Sequence, residues 1–220
     1  MFKLAIMLVT YKRTEYAIRT VNALKRNLLM PHYDVTWHVA DDGSVPEHRQ
    51  ALRELLPSAT ITNTMRKGAG ASMNAGMAEC LQRAKYILWV EDDWELSQPF
   101  NPMVCIELMK QHPDVGMVRL AYISPELNAH LVSGAGELWW RLHKGTQYVF
   151  SGGPSIRSAA FCAAYGEYQE GIGAGYTELD MCTKFTQKQG PDIVTPAWCT
   201  HQGIFNHIGT VSVKDDTLQN

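Results

Sequence analysis

Short apolar runs alternate along this chain with longer stretches in which apolar residues recur every three or four positions. An apolar run of about four to eight residues suits a strand covered on both faces, and the longer period suits a helix packed on such a strand. Strands are expected at residues 3–10, 35–40, 60–63, 86–90 and 115–121, with weaker candidates at 147–150 and 193–195. The first helix should start at Thr14, because Ala17, Val21, Leu24 and Leu28 then share one face. Ser44 followed by Glu47 has the capping-box spacing that would start a second. A third is expected over 70–84, with Met73, Met77 and Leu81 inward, and a fourth from Asn101-Pro102 to about His112-Pro113. A fifth should run from Thr177 to Gln189, where Gly190-Pro191 stops it. Strand and helix in alternation predict an α/β fold, with a mostly parallel central sheet flanked by helices.

Length and composition narrow that picture. At 220 residues the chain fits a single core, and no repeat or Pro/Gly/Ser-rich linker divides it. One domain is expected over 1–213, with 214–220 as a frayed tail. Residues 124–151, punctuated by Gly134, Gly136 and Gly145, read as a long irregular loop region of the kind that carries function. A net charge of -2 and the lack of any Lys/Arg run argue against stable nucleic-acid binding, while a nucleic-acid substrate held by local contacts stays open. Five cysteines without a CxxC pair suit reduced thiols and hence the cytoplasm. The apolar run 2–9 is too short to cross a bilayer and lacks a cleavage site behind it, so it reads as a buried first strand and no membrane segment is expected.

Chemistry is concentrated where strands end. The segment from Tyr86 through Glu91-Asp92-Asp93 closes an apolar strand with three acids, a costly arrangement without a cation. Alternation along an extended chain would put Glu91 and Asp93 on one side and Asp92 on the other. Hard divalent cations take oxygen ligands, and open α/β sheets bind ligands beyond the carboxyl ends of their strands. Asp93 is therefore the leading metal ligand, with Glu91 in support, against the plainer reading of a solvated acidic turn. Asp41-Asp42-Gly43-Ser44 follows another strand; its acids can accept from a base imide N–H or ribose hydroxyls, though Asp-Gly-Ser is also ordinary turn chemistry. Arg66, Lys67 and Gly68, just ahead of a helix, combine cations, glycine and a helix N-terminus, which favours a phosphate-bearing ligand. Their spacing matches neither the Walker loop nor the dinucleotide fingerprint.

These three elements, in this order, resemble glycosyltransferase family 2 and its relatives of the GT-A (Rossmann-like) fold, over most of the chain. The resemblance implies a nucleotide-sugar half at 1–95 and an acceptor and catalytic half at 96–213. It implies donor contacts from Thr10, Tyr11 and Arg13 after the first strand, from Asp41 and Asp42, and from Asn74-Ala-Gly76 behind the loop of Arg66, Lys67 and Gly68. Glu91-Asp92-Asp93 stands where the family has its Asp-x-Asp metal motif, so Glu91 and Asp92 are donor contacts as well. The version with Glu first is similar to that of related N-acetylglucosaminyltransferases, whose final Asp holds manganese. Gly152, Gly153 and Arg157 resemble a glycine-rich segment bordering the acceptor. Thr177-Glu178-Leu-Asp180 resembles the segment of the catalytic base, with Glu178 where Asp is usual and Asp180 as its rival. Phe205-Asn-His207-Ile-Gly209 resembles a His-Ile-Gly segment that can supply a metal contact, which ranks His207 first and His201 second. Trp139 and Trp140 either stack on an acceptor or serve the core or a lid.

The expected activity is Mn2+- or Mg2+-dependent, inverting transfer of a hexose or N-acetylhexosamine to an acceptor hydroxyl. A UDP-sugar is favoured as the commonest family donor, with protein, glycan, lipid and modified base all open as acceptors. A sugar-1-phosphate nucleotidyltransferase is the rival enzyme, but Tyr11-Lys12-Arg13-Thr14 stands where its glycine-rich signature belongs. A catalytically silent nucleotide-sugar binding or scaffold module is the rival of another class, separable by manganese-dependent donor turnover.

Overall fold

The computed structural model describes residues 2–31, 33–122, 128–145, 149–200 and 203–209. Its first part repeats a strand and a helix: β1 (Phe2–Thr10), α1 (Thr14–Asn27), β2 (Tyr33–Asp41), α2 (Pro46–Leu55), β3 (Thr60–Asn63), α3 (Ala69–Leu81) and β4 (Tyr86–Glu91). Then come β5 (Trp94–Leu96), α4 (Met103–Gln111), β6 (Val115–Arg119), the hairpin β7 (Ala129–Gly134) and β8 (Glu137–Leu142), and β9 (Ser155–Ser158). The chain closes with α5 (Ala159–Tyr165), α6 (Ala174–Gln187), β10 (Asp192–Pro196), a 3-10 turn at Ala197–Thr200 and β11 (Phe205–His207).

A nine-stranded sheet has the order β3-β2-β1-β4-β9-β6-β10-β8-β7. β9 and β8 run against the other strands, so the sheet is mostly parallel. Side chains alternate along β1: Ala5, Met7 and Val9 join one core cluster, while Leu4 and Ile6, with Leu8 beside them, face the clusters on the other side. Helix α3 lies close over β1 and β2 because Gly76 has no side chain. A Cβ there would stand 2.7 Å from the Ala40 Cβ and 2.8 Å from the Met7 Sδ. In the parallel ladder the strand ends line up: Thr10 pairs with Asp41, and Val9 with Glu91.

Three expectations need correction. Ser44 does not cap α2; Val45 is the N-cap and Pro46 begins the helix, so the Ser44 hydroxyl serves Asp41 and accepts from Lys12 N instead. Within 124–151, β7 and β8 form a hairpin at the sheet edge, while Val149 and Phe150 are buried but not extended into a strand. Helix α6 begins at Ala174, ahead of the expected Thr177. Residues 123–127, 146–148, 201–202 and 210–220 lie outside the described residues, and with them His201 and the tail.

Candidate functional site

The acids at the end of β4 do not alternate as an extended strand would require, because the strand stops at Glu91 and the next two residues form a turn into β5. Asp92 is fully buried and accepts from Thr10 Oγ1 at 2.8 Å and from Tyr11 N at 3.2 Å. Its other oxygen meets the Arg13 guanidinium. The same guanidinium reaches Asp93 Oδ2 at 2.6 Å, so Asp92 and Asp93 converge on one cation. Glu91 turns elsewhere, toward Gly152: a Cβ on Gly152 would lie 3.6 Å from Glu91 Oε1. Burial pushes the Asp92 carboxyl up to about 6, against the pull of Arg13, Thr10 and Tyr11. Burial, followed by the charges of Asp93, Asp92 and Glu178, pushes Glu91 up to about 7.

Asp93 has a second partner. The antiparallel pairing of β11 with β5 sets His207 opposite Trp94, and Ile208 N donates to the Asp93 carbonyl at 2.8 Å. The His207 ring leans on Trp94, with centroids 4.8 Å apart, and its Nε2 lies 3.1 Å from Asp93 Oδ2. Gly209 makes this closure possible, since a Cβ there would stand 2.3 Å from that oxygen. A carboxylate oxygen and an imidazole nitrogen at this separation fit two adjacent donors to one cation at about 2.1 Å from each. No group of three or more His, Cys, Asp or Glu suited to a metal occurs among the described residues. A cation here would complete its shell from ligand oxygens and water, as Mg2+-type sites do.

Beside this corner lies a cleft of about 200 Å³ lined by Thr10, Tyr11, Arg13, Asp42, Ser72 and Glu91 among others. Asp42 faces it, with Oδ1 accepting from Thr64 Oγ1 at 2.8 Å and from Gly68 N at 3.0 Å. Arg66 and Lys67 are exposed, and the Arg66 guanidinium stands over the Tyr11 ring at 5.7 Å. Asp41 is turned inward instead, fully buried and held by Ser44 N and Oγ and by Arg49. Asn74 is also drawn away from the cleft: it donates to Tyr168 O and Glu170 Oε1, both at 3.0 Å, and accepts from Tyr168 N at 2.8 Å, pinning the loop before α6 to α3. A wider groove of about 850 Å³ between α4 and the β7–β8 hairpin shares no lining residue with the cleft.

On the far side of Glu91, Gly152 N donates to Glu178 Oε1 at 2.7 Å, and a Gly152 Cβ would lie 3.9 Å from the same oxygen. Gly152 thus leaves room between two carboxylates, and Gly153 packs against Trp94. Asp180, two residues further along α6, pairs with Lys184 at 2.6 Å. Arg157 is a core residue: its guanidinium lies 3.7 Å over the Trp89 ring, Nε donates to Ser155 Oγ at 3.0 Å, and Nη1 bonds the Tyr168 hydroxyl. Trp139 is likewise buried, donating to Gly134 O at 2.9 Å, and the half-buried Trp140 packs on the opposite core cluster. An aromatic pair in β8 faces both sides of a sheet, so neither ring stands free in a loop.

Sequence reasoning missed the support beneath the corner. His48 sits buried between Thr10 Oγ1 at 3.1 Å and Thr14 Oγ1 at 2.8 Å, with its pKa lowered by burial. Thr20 Oγ1 donates to the Asp92 carbonyl at 2.8 Å. These partners come from separate elements, so no local motif betrays them.

Comparison with solved structures places the fold among known enzymes at low identity. S. aureus TarS (residues 1–349) superposes with a TM-score of 0.60 at 13% identity, covering 87% of this chain and 58% of that one. GalNAc-T7 with UDP, GalNAc and Mn2+ gives 0.65 at 11% identity, covering 89% and 42%. The mannosyltransferase PcManGT from Pyrobaculum calidifontis, with GDP-Man and Mn2+, gives 0.60 at 15% identity, covering 88% and 54%. The chain therefore spans about half the length of these solved chains and shares their GT-A fold. No curated protein sequence matches it. The sequence model described as Glycosyl transferase family 2 matches residues 5–168, three quarters of the chain, from within β1 through α5, and the chain belongs to that family.

Proposed function

We propose that this chain transfers a sugar from a nucleotide sugar, a UDP-sugar by preference, to an acceptor hydroxyl with inversion at the anomeric carbon. The donor lies along 1–95, where Thr10, Tyr11, Arg13 and Asp42 line the cleft with Arg66 and Lys67 at its open edge. Asp93 and His207 hold Mn2+ or Mg2+, which when bound supplies positive charge against the departing nucleoside diphosphate. Glu178, in the acceptor half at 96–213, takes the proton of the acceptor hydroxyl. A proton acceptor on the face opposite the leaving group favours attack from that side. Solved structures of the same fold carry UDP and Mn2+, UDP-GlcNAc, or GDP-Man and Mn2+, which supports a nucleotide-sugar donor and a divalent cation for this chain.

One observation carries the reading. Glu91 both lines the donor cleft and stands beside Gly152, so Glu178 sits next to the donor end while Asp180 is engaged by Lys184. The acceptor is a protein, glycan, lipid or modified base. Free thiols at all five cysteines support a reducing, cytoplasmic setting, and no helix among the described residues is long and apolar enough to cross a membrane.

The test is manganese-dependent turnover of UDP-sugars, first as slow hydrolysis without acceptor and then over an acceptor panel. Glu178→Gln should lower kcat by about 10²- to 10⁴-fold, the scale of a positioned general base, while Asp180→Asn stays near wild type. Tight UDP binding with no turnover would leave a silent binding module. Turnover retained in Glu178→Gln and lost in Asp180→Asn would move the base to Asp180.

A further inference from the structure

The acidic corner already contains a cation, and it belongs to the chain. The Arg13 guanidinium bridges Asp92 and Asp93, and on Asp93 it takes Oδ2, the same oxygen that meets His207 Nε2 at 3.1 Å. The carboxylates are deeply buried, with side-chain exposures of 0% and 8%, whereas the Arg13 side chain is 24% exposed and lines the cleft. Asp92 has other donors in Thr10 Oγ1 and Tyr11 N, so it can spare part of Arg13. A divalent cation taking that oxygen beside His207 would compete with the guanidinium for it, because the two positive centres would then stand a few ångströms apart over carboxylates that are themselves buried.

We propose that Arg13 is a charge placeholder: it neutralises Asp92 and Asp93 in the ligand-free chain, and passes from Asp93 to the donor's diphosphate when metal and nucleotide bind together. The inference rests on the nucleotide-sugar reading and adds to it an internal residue that couples the two ligands. A metal binding alone has to compete with Arg13 for Asp93, and displacing it leaves the guanidinium with Asp92 as its one remaining anion at this corner. A metal arriving with a diphosphate gives Arg13 a new anionic partner, for which its forked donors are well shaped. The two bindings therefore help each other, by the same factor whichever ligand comes first.

Mn2+ binding to the full chain, followed by electron paramagnetic resonance of free Mn2+ with and without UDP and corrected for Mn2+ bound by UDP in solution, tests this without any turnover. In wild type, UDP should tighten Mn2+ binding at least tenfold, on the order of a typical coupling. Arg13→Gln should bind Mn2+ alone about tenfold more tightly than wild type and lose about the same factor from the coupling. Arg13→Lys, whose single ammonium cannot bridge both carboxylates as a fork does, should fall between. Because Arg13→Gln bares a buried Asp92, circular dichroism checks its fold, and wild-type crystals grown with UDP and Mn2+ give an independent answer. There Arg13 should stand more than about 4 Å from Asp93, beyond ion-pair range. Unchanged Mn2+ affinity in a folded Arg13→Gln, or Arg13 still bridging both acids in those crystals, would overturn the placeholder and leave the nucleotide-sugar reading intact. Wild type that binds neither UDP nor Mn2+ would overturn both.

Discussion

Replacing Glu91 by Gln should stabilise the metal-free chain, and only toward alkaline pH. Glu91, Asp92, Asp93 and Glu178 repel one another across the site, and the Arg13 charge that offsets them is spent on Asp92 and Asp93. Burial and then those three acids raise Glu91 from 4.5 to about 7. A carboxyl whose folded pKa is raised binds its proton more tightly in the fold than in the unfolded chain. Below pH 4.5 it is protonated in both states and imposes no penalty; the penalty grows between 4.5 and 7 and is complete above 7. A gap of roughly 2.5, at about 1.36 kcal/mol per pKa unit, amounts to about 3 kcal/mol. Gln keeps the shape and has no charge to bury. Urea unfolding with a chelator present should give nearly coincident midpoints at pH 4.5 and a midpoint about 1–3 M higher for the variant at pH 8, taking an m-value of about 1–3 kcal/mol/M. A variant no more stable than wild type at pH 8, or one equally favoured at both pH values, would refute the argument.

Other outcomes follow from single contacts. Gly209→Ala puts a Cβ 2.3 Å from Asp93 Oδ2, so the thermal shift produced by Mn2+ with UDP should shrink or vanish while the fold persists; an unchanged shift would remove Asp93 and His207 from the cation's shell. His38 bonds Thr60 Oγ1 at 2.7 Å and Thr62 Oγ1 at 3.1 Å, and burial holds its pKa down at about 4. The unfolded chain then takes up a proton first, so stability present above pH 6.5 falls by about 3 kcal/mol as pH drops toward 4. His38→Gln should flatten that decline in urea midpoints measured from pH 7 to 4. Gly76→Ala forces a Cβ against Ala40 and Met7 and should cost about 1–3 kcal/mol, read as a lower melting temperature.

β1 and β4, whose ends border the cleft, were legible because each is apolar on both faces. Leu4 to Leu8 and Ile87 to Val90 have core on either side, and such runs stand out from their surroundings. β9 was not legible. Ser155 and Arg157 are polar yet fully buried, with Arg157 stacked on Trp89, so no apolar run marks the four residues as a strand although they hold β4 and β6 together. The β7–β8 hairpin was hidden by its glycines. Ala135 and Gly136, at φ 52 and 77, form a two-residue turn of the kind that joins twisted strands. The capping-box reading of Ser44 failed for a comparable reason, since a proline two residues on was the stronger helix-starting signal.

The acidic run itself was visible, but its division of labour was not, and the reason lies in how far apart the partners are in sequence. Alternation assumes that a strand continues, whereas a buried acid takes the direction in which its charge can be met. Asp92 and Asp93 are met by Arg13 from the end of β1, and Glu91 is left facing Glu178 across Gly152. Arg13 cannot be distinguished by local pattern from the other basic residues. It can be found from topology: once β1 and β4 are known to lie side by side with Val9 opposite Glu91, the residues just past each end must meet. A cation a few residues beyond Thr10 is then the nearest available charge for acids a few residues beyond Val90. Parallel neighbours make that meeting unavoidable, because their chains leave the sheet on the same edge. The corner's charge is thus set by two strand ends far apart in sequence, which is why the acids alone suggest a vacant cation site and the structure supplies one that is already taken.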